Sequence, residues 1–177
     1  MRIVICCGAD RTGKSTLTEE FKRQGWIYRH FDPPKASPYG EYLDYARWLL
    51  EKGDPDGKYV IDRYMYCEFA YSKHYRRGTD MTIERMYKIE DILLELDPTA
   101  TVVYCETDLE SNWERIKEEG KKEFRSIEQL EALREEYKRI LMKSKLDLVE
   151  YDFTAGDTPA GTVSEIDRRH IIWIKTR

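Results

Sequence analysis

The sequence has little of what membrane, disulfide-bonded and metal-centred proteins need. No apolar run approaches the roughly 20 residues that span a membrane. The four cysteines show no C-x-x-C spacing and the three histidines show no metal-ligand spacing. The first residues form a strand pattern rather than a signal peptide. We therefore expect no membrane partner, and buried thiols in a reducing, cytoplasmic protein.

An excess of basic residues is also missing. The chain has 30 Lys and Arg against 34 Asp and Glu, and its formal net charge is −4. This balance argues against a general nucleic-acid binder, which needs a positive surface. A length of 177 residues predicts one domain, residues 1–177, that is large enough to bury a core.

Short apolar runs alternate with helical patterns, as in parallel sheets with crossover helices. The predicted strands are 2–7, 26–31, 58–62, 101–105 and 146–151. The first predicted helix begins at Lys14. Five more predicted helices cover 39–52, 64–77, 82–96, 108–119 and 126–145. A last turn or helix is predicted at 160–168, followed by an edge strand at 171–174. The pattern predicts an α/β fold with a parallel sheet flanked by helices.

The stretch CGADRTGKST follows the first predicted strand and opens the first predicted helix. Gly8, Gly13, Lys14 and Ser15 fit G-x-x-x-x-G-K-S/T, the P-loop that wraps nucleotide phosphates. Backbone N–H groups of such a loop form a concave anion site, helped by the helix dipole. The predicted nucleotide-binding residues are the whole loop: Gly8, Ala9, Asp10, Arg11, Thr12, Gly13, Lys14, Ser15 and Thr16.

Two side chains of this loop have direct roles in the chemistry of phosphates. Lys14 supplies a positive charge for the outer phosphates, and the Ser15 hydroxyl is a magnesium ligand. The cofactors predicted from the motif are therefore ATP and Mg²⁺.

Two other classes of P-loop protein lack their signatures here. GTPases read the base with N-K-x-D, but the single asparagine, Asn112, lies in SNWE. Motor ATPases have a hydrophobic strand that ends in Asp-Glu, whereas this chain has VVYCET. A small kinase needs neither signature, because it needs an acceptor pocket and cations between two phosphates.

A second cluster, KYVIDRY, ends a predicted strand with an acid and a base. This places Asp62 and Arg63 at the carboxyl edge of the sheet, where ligands bind in open α/β sheets. Asp62 is a second candidate magnesium ligand, acting through water. Arg63 is a candidate residue for binding the phosphate of an acceptor. The catalytic residues predicted from these two motifs are Lys14, Asp62 and Arg63.

These motifs resemble the thymidylate kinase family of P-loop nucleotide kinases, and the likeness covers most of the chain. GADRTGKST is similar to that family's G-x-D-x-x-G-K-S/T loop, and VIDRYMYCEFAYSKHYRRG is similar to its D-R-Y-x-x-S-x-x-A-Y-Q segment. Cys67 replaces the serine of that segment and Ser72 replaces the glutamine. GKKEFRSIEQLEALREEYKRIL resembles the family's lid and the helix after it.

The resemblance implies a three-layer P-loop kinase fold with a five-stranded parallel sheet and a short lid, about residues 118–126. It implies that Arg11 is the catalytic arginine, in the loop rather than the lid, and that Asp10 approaches the acceptor sugar. It leaves open whether the lid cations Lys121, Lys122 and Arg125 assist. The predicted substrate-binding residues are Asp10, Phe31, Arg63, Tyr66, Phe69 and Tyr71.

We expect transfer of the γ-phosphoryl group of ATP to a nucleoside monophosphate, a small-molecule acceptor. One alternative is a kinase that acts on a hydroxyl of a nucleoside or of a modified base in DNA, and nucleic acid enters only under this alternative. A further alternative is a nucleotide-binding module without catalysis. The sequence leaves open the base of the acceptor and the formation of a homodimer.

Overall fold

A computed structural model of the chain describes residues 1–33, 37–74, 78–120 and 124–176. The strands are β1 (Arg2–Cys7), β2 (Ile27–His30), β3 (Lys58–Asp62), β4 (Thr101–Glu106) and β5 (Asp147–Asp152). The helices are α1 (Lys14–Arg23), α2 (Pro38–Lys52), α3 (Met65–His74), α4 (Ile83–Leu96), α5 (Leu109–Glu118), α6 (Ile127–Leu141) and α7 (Pro159–Thr176). The first five predicted strands are confirmed, with ends that differ by one residue at β2, β4 and β5.

The five strands form one parallel sheet in the order β2-β3-β1-β4-β5. After Arg2, β1 is an unbroken apolar run because both of its faces are covered, as in other buried parallel strands. One face packs against α2, α3, α4, α5 and α6, and the other packs against α1 and α7. These three layers place the ends of β1 and β3 at the centre of the carboxyl edge, where the order of the sheet reverses.

The prediction for the last segment is wrong in part. Residues 159–176 form one helix, α7, and the edge strand expected at 171–174 does not exist. The buried side chains of Val163 and Ile166 are followed at helical spacing by His170, which bonds to Thr99. This stripe of spacing three and four continues past residue 168, so the helix continues with it. The apolar residues Ile171 and Ile172 are half exposed on its outer side.

The bounds of α6 and α3 also differ from the predicted ones. α6 stops at Leu141, four residues before the predicted end, and residues 142–145 form the turn that leads into β5. α3 begins one residue late, and the last predicted residues of that helix, 75–77, lie outside the described residues. Within the described ranges, no helix is long and apolar enough to cross a membrane.

Candidate active site

The loop between β1 and α1 has the conformation that phosphate binding needs. Gly8 has φ 138° and Gly13 has φ 84°, which side chains disfavour. A Cβ atom on Gly8 would lie 2.1 Å from the carbonyl oxygen of Cys105, and one on Gly13 would lie 2.9 Å from the Phe153 ring. Both positions therefore require glycine, because the loop is pressed against β4 and the segment after β5.

Lys14 is the first residue of α1, and its side chain lies over the loop. Only 7% of the residue is exposed. Its ammonium group donates to the carbonyl oxygen of Gly8 at 2.8 Å and to that of Ala9. The charge is therefore already held above the loop, and phosphate oxygens would replace these carbonyl partners.

An open cleft of about 600 Å³ lies in front of the loop. Its walls bring together the P-loop and the ends of β2, β3 and α5. The lining residues are Asp10, Arg11, Gly13, Lys14, Ser15, Thr16, His30, Asp62, Arg63, Arg115, Glu118 and Glu119. All four predicted catalytic residues therefore line one cleft, although they come from two distant parts of the chain.

Arg63 lies across the cleft from Lys14 and is joined to the P-loop. Its Nη2 donates to Oδ1 of Asp10 at 3.1 Å, and its side chain is 36% exposed. Arg63 has φ 59°, a left-handed conformation that is uncommon for a side-chain-bearing residue. Such strain is concentrated at functional sites, where the surrounding structure maintains it.

Arg11 is the second residue in a left-handed conformation, with φ 66°. Its guanidinium pairs with the carboxylate of Glu119, at the end of α5. Its side chain is 42% exposed and lies at the mouth of the cleft, so it can turn towards a bound phosphate. A nucleotide would have to compete with Glu119 for this arginine.

Asp62 and Ser15 fit a magnesium ion by their chemistry. Magnesium prefers oxygen ligands, and it is usually bound through one or two carboxylates together with substrate phosphates. Asp62 is 6% exposed, and its Oδ1 is buried without a hydrogen-bond partner among the described residues. The Ser15 hydroxyl lies in the exposed first turn of α1. The described residues contain no group of three or more metal-ligating side chains, so the nucleotide would complete the site.

The four aromatic side chains that were predicted to contact the acceptor substrate are not among the residues that line this cleft. Tyr66 is fully buried, and its hydroxyl donates to Glu90 at 2.7 Å, so it packs inside the core. Phe31 is 2% exposed within an aromatic cluster. Phe69 and Tyr71 on α3 are half-buried against the same core. The structure thus gives Tyr66 and Phe31 packing roles, and Phe69 and Tyr71 stay predictions.

The four cysteines are buried and free, as the sequence predicted. Burial raises the pKa of the Cys6, Cys7, Cys67 and Cys105 thiols, so they stay neutral. They act as small apolar side chains in the sheet and on α3.

The predicted lid, residues 118–126, is only partly described. Lys121 and Lys122 lie outside the described residues. Arg125 is exposed, and its backbone N–H donates to Gln129 at 2.8 Å. A role of these three cations stays a prediction.

Comparison with known proteins supports the resemblance. No family model matches the chain. A thymidylate kinase of Leptospira interrogans serovar copenhageni is 28% identical in an alignment that covers 81% of this chain and 83% of that protein. A thymidylate kinase of Leptospira borgpetersenii is 29% identical in an alignment that covers 81% of this chain and 82% of that protein. The predicted relation to thymidylate kinases is confirmed.

Solved structures confirm the fold. The YorR protein of Bacillus subtilis, in complex with phosphorylated GDP, superposes with a TM-score of 0.74 at 18% identity and covers 98% of this chain and 95% of that chain. A deoxyadenosine kinase from M. mycoides with bound dATP gives 0.56 at 17% identity and covers 95% and 98%. The chain has the P-loop nucleotide kinase fold.

Besides Glu118 in the cleft lining, sequence reasoning missed four residues of this kinase fold that line the cleft or hold its loop. Asn112 is fully buried and donates from Nδ2 to the carbonyl oxygen of Asp10 at 2.8 Å. Arg115 stacks on the ring of Phe153 at 4.3 Å. Asn112, Arg115 and Glu119 are spaced i, i+3 and i+7, so one face of α5 is directed at the site. That spacing was visible in the sequence, but it contained no known motif.

The fourth missed residue is His30, at the end of β2. Its Nδ1 lies 2.9 Å from Oδ2 of Asp62, and its side chain is 35% exposed in the cleft wall. A histidine two positions after Tyr28 on a predicted strand was the available signal, since residues at that spacing share one face of a sheet.

Proposed function

We propose that this protein transfers the γ-phosphoryl group of ATP, with magnesium, to a nucleoside monophosphate. One observation carries the proposal: Arg63, a cation from outside the P-loop, lies in the same cleft as the loop and is held by the loop's own Asp10. A protein that only binds ATP does not need this additional cation. The relation to thymidylate kinases supports the same reaction.

The cleft supplies positioning and charge rather than a covalent intermediate. Lys14 and Arg11 neutralise charge on the phosphoryl group that is transferred. Arg63 binds the phosphate of the acceptor, and Asp10 approaches the sugar of the acceptor. Magnesium, held by Ser15 and Asp62 together with the triphosphate, would neutralise further charge. The cytoplasm, where ATP is available, is the location that this reaction implies.

A hydroxyl kinase acting on DNA is less well supported. Glu118 and Glu119 at the cleft mouth are negative, whereas a DNA strand needs cations along its path. Transfer confined to oligonucleotides, with no monophosphate accepted, would nevertheless favour that alternative. Transfer confined to free nucleosides would favour the nucleoside alternative.

The experiment compares dTMP, the other monophosphates, free nucleosides and single-stranded DNA as acceptors of label from ATP at two salt concentrations. We expect turnover with at least one monophosphate. The Arg63→Gly variant should then lose about one to two decades in kcat/KM for the monophosphate, because one charge-assisted contact contributes about 1.5–3 kcal/mol. Glycine suits the left-handed backbone at this position, so the variant removes the guanidinium without adding strain.

Arg29→Ala is the matched control. Arg29 lies on the neighbouring strand β2, where its guanidinium is 5.1 Å from the Phe31 ring and outside the cleft lining. This variant should keep the wild-type acceptor preference. If Arg63→Gly kept the preference for monophosphate over nucleoside unchanged, Arg63 would not be the acceptor-phosphate residue.

A further inference from the structure

We propose that His30 and Tyr28 are positioning residues that hold the Asp62 carboxylate for the metal–nucleotide complex, and thereby set its affinity. The inference rests on the proposed function, because it assigns Asp62 to the magnesium of that site. It adds a part of the site that neither motif contains.

The sheet brings the three side chains together. β2 and β3 are parallel, and His30 is the register partner of Asp62. Tyr28 lies two residues before His30, so both side chains project from the same face of β2. The Tyr28 hydroxyl donates to Oδ2 of Asp62 at 3.0 Å, and His30 Nδ1 lies 2.9 Å from the same oxygen.

Two donors on one oxygen fix the rotation of the carboxylate. With His30 Nδ1 carrying its proton, Oδ2 receives both bonds, and Oδ1 is left without a partner among the described residues. A buried carboxylate oxygen without a hydrogen bond is costly and points to an ion or water that binds there. Asp62 lines the cleft together with Ser15 and Lys14, so a bound metal ion or its water is a natural partner for Oδ1.

Tyr28 is itself held by the helix that carries the P-loop. Lys22 on α1 places its ammonium group 3.9 Å from the centre of the Tyr28 ring. The position of Asp62 is therefore linked to α1, the element that supplies Ser15 to the same ion.

The experiment measures ATP binding by calorimetry, once with Mg²⁺ and once with EDTA, so that no turnover is needed. His30→Ala should weaken binding of Mg·ATP about tenfold, the scale of one hydrogen bond, and leave metal-free ATP binding within about twofold. Tyr28→Phe should show the same metal-dependent loss, because it keeps the ring under Lys22 and removes only the hydroxyl.

Two conservative variants separate positioning from packing. The side-chain amide of asparagine occupies the place of Nδ1, whereas that of glutamine extends to the place of Nε2. His30→Asn should therefore restore Mg·ATP binding to near wild type, and His30→Gln should not. Arg29→Ala, on the same strand, should bind Mg·ATP like the wild type.

The outcomes distinguish this inference from the proposed function. Wild-type protein that binds no ATP, with or without Mg²⁺, would overturn both. If the wild type binds ATP but His30→Ala loses the same affinity in Mg²⁺ as in EDTA, His30 only supports packing. That result would overturn this inference alone. Unchanged binding in His30→Ala would overturn it as well, because Asp62 would then be held without the histidine.

Discussion

At the scale of single residues, the site depends on backbone conformations that the surrounding fold enforces. Arg11 and Arg63 both have positive φ, which costs a side-chain-bearing residue roughly 1–2 kcal/mol. The strained conformation of Arg63 directs its guanidinium to Asp10, and that of Arg11 directs its guanidinium to the cleft mouth. Two arginines in this conformation within one cleft indicate that charge placement, and not stability, determines these positions.

Replacing Arg11 tests its assignment as the catalytic arginine. An interaction made only in the transition state lowers kcat and kcat/KM together. Arginines placed on a transferring phosphoryl group contribute about 10³-fold or more, so Arg11→Ala should lose at least that much in kcat. Steady-state kinetics with ATP and the best acceptor give both constants.

The control for this variant is Arg23→Ala, which removes an exposed arginine at the far end of α1. It should leave kcat unchanged. A higher KM for ATP with unchanged kcat in Arg11→Ala would make Arg11 a ground-state binder, and the catalytic charge would have to come from another cation.

At the scale of elements, α5 is the part of the fold that supports the P-loop from the side. Its first turn is capped by Asp108, which accepts from the backbone N–H of Ser111 at 2.9 Å. Asn112 then bonds to the loop at Asp10, and Glu119, just past the helix end, pairs with Arg11. One helix therefore contacts the loop both at its backbone and at the side chain of Arg11, and it leads directly into the segment predicted as the lid.

Removing Asn112 should loosen this connection. Asn112→Ala leaves the buried carbonyl of Asp10 without its donor, which costs about 1–3 kcal/mol. In a domain of this size each kcal/mol lowers the melting temperature by about 2–4 °C, so we expect a fall of about 2–12 °C. ATP affinity should fall as well, since the loop is less well held.

Glu114→Gln is the matched control on the same helix. Glu114 is exposed and pairs with Lys117 within the helix, an interaction that contributes little to stability. The melting temperature and the ATP affinity of the Glu114→Gln variant should stay near the wild-type values. Equal melting temperatures of Asn112→Ala and wild type would show that α5 does not support the loop.

At the scale of the whole molecule, local patterns predicted the parallel sheet and the P-loop, because apolar runs and a glycine motif are local signals. What sequence reasoning missed depends on contacts between distant segments. Asn112 reaches a loop 102 residues away in sequence, and His30 reaches Asp62 across a strand pairing. The end of α7 was missed because His170 bonds to Thr99, a partner that no window around residue 170 contains.

The assembled cleft makes stability depend on the nucleotide, which is the last prediction. The walls of the cleft come from residues 10 to 119, so the unfolded chain cannot present them together and should not bind Mg·ATP. A ligand that binds only the folded state at 100 times its Kd adds about 2.7 kcal/mol. The melting temperature should therefore rise by about 5–11 °C, at 2–4 °C per kcal/mol.

The variant Lys14→Met identifies the cause of that rise. Methionine keeps the buried aliphatic stem and removes only the ammonium group, which donates to Gly8 and Ala9 in the free protein. Most of the rise with Mg·ATP, measured from the variant's own ligand-free melting temperature, should disappear. That ligand-free value should itself fall by a few degrees, because the buried carbonyl oxygens of Gly8 and Ala9 lose their donor. A full rise in Lys14→Met, measured by calorimetric scans at one protein concentration, would mean that ATP binds elsewhere. The P-loop would then not be the nucleotide site.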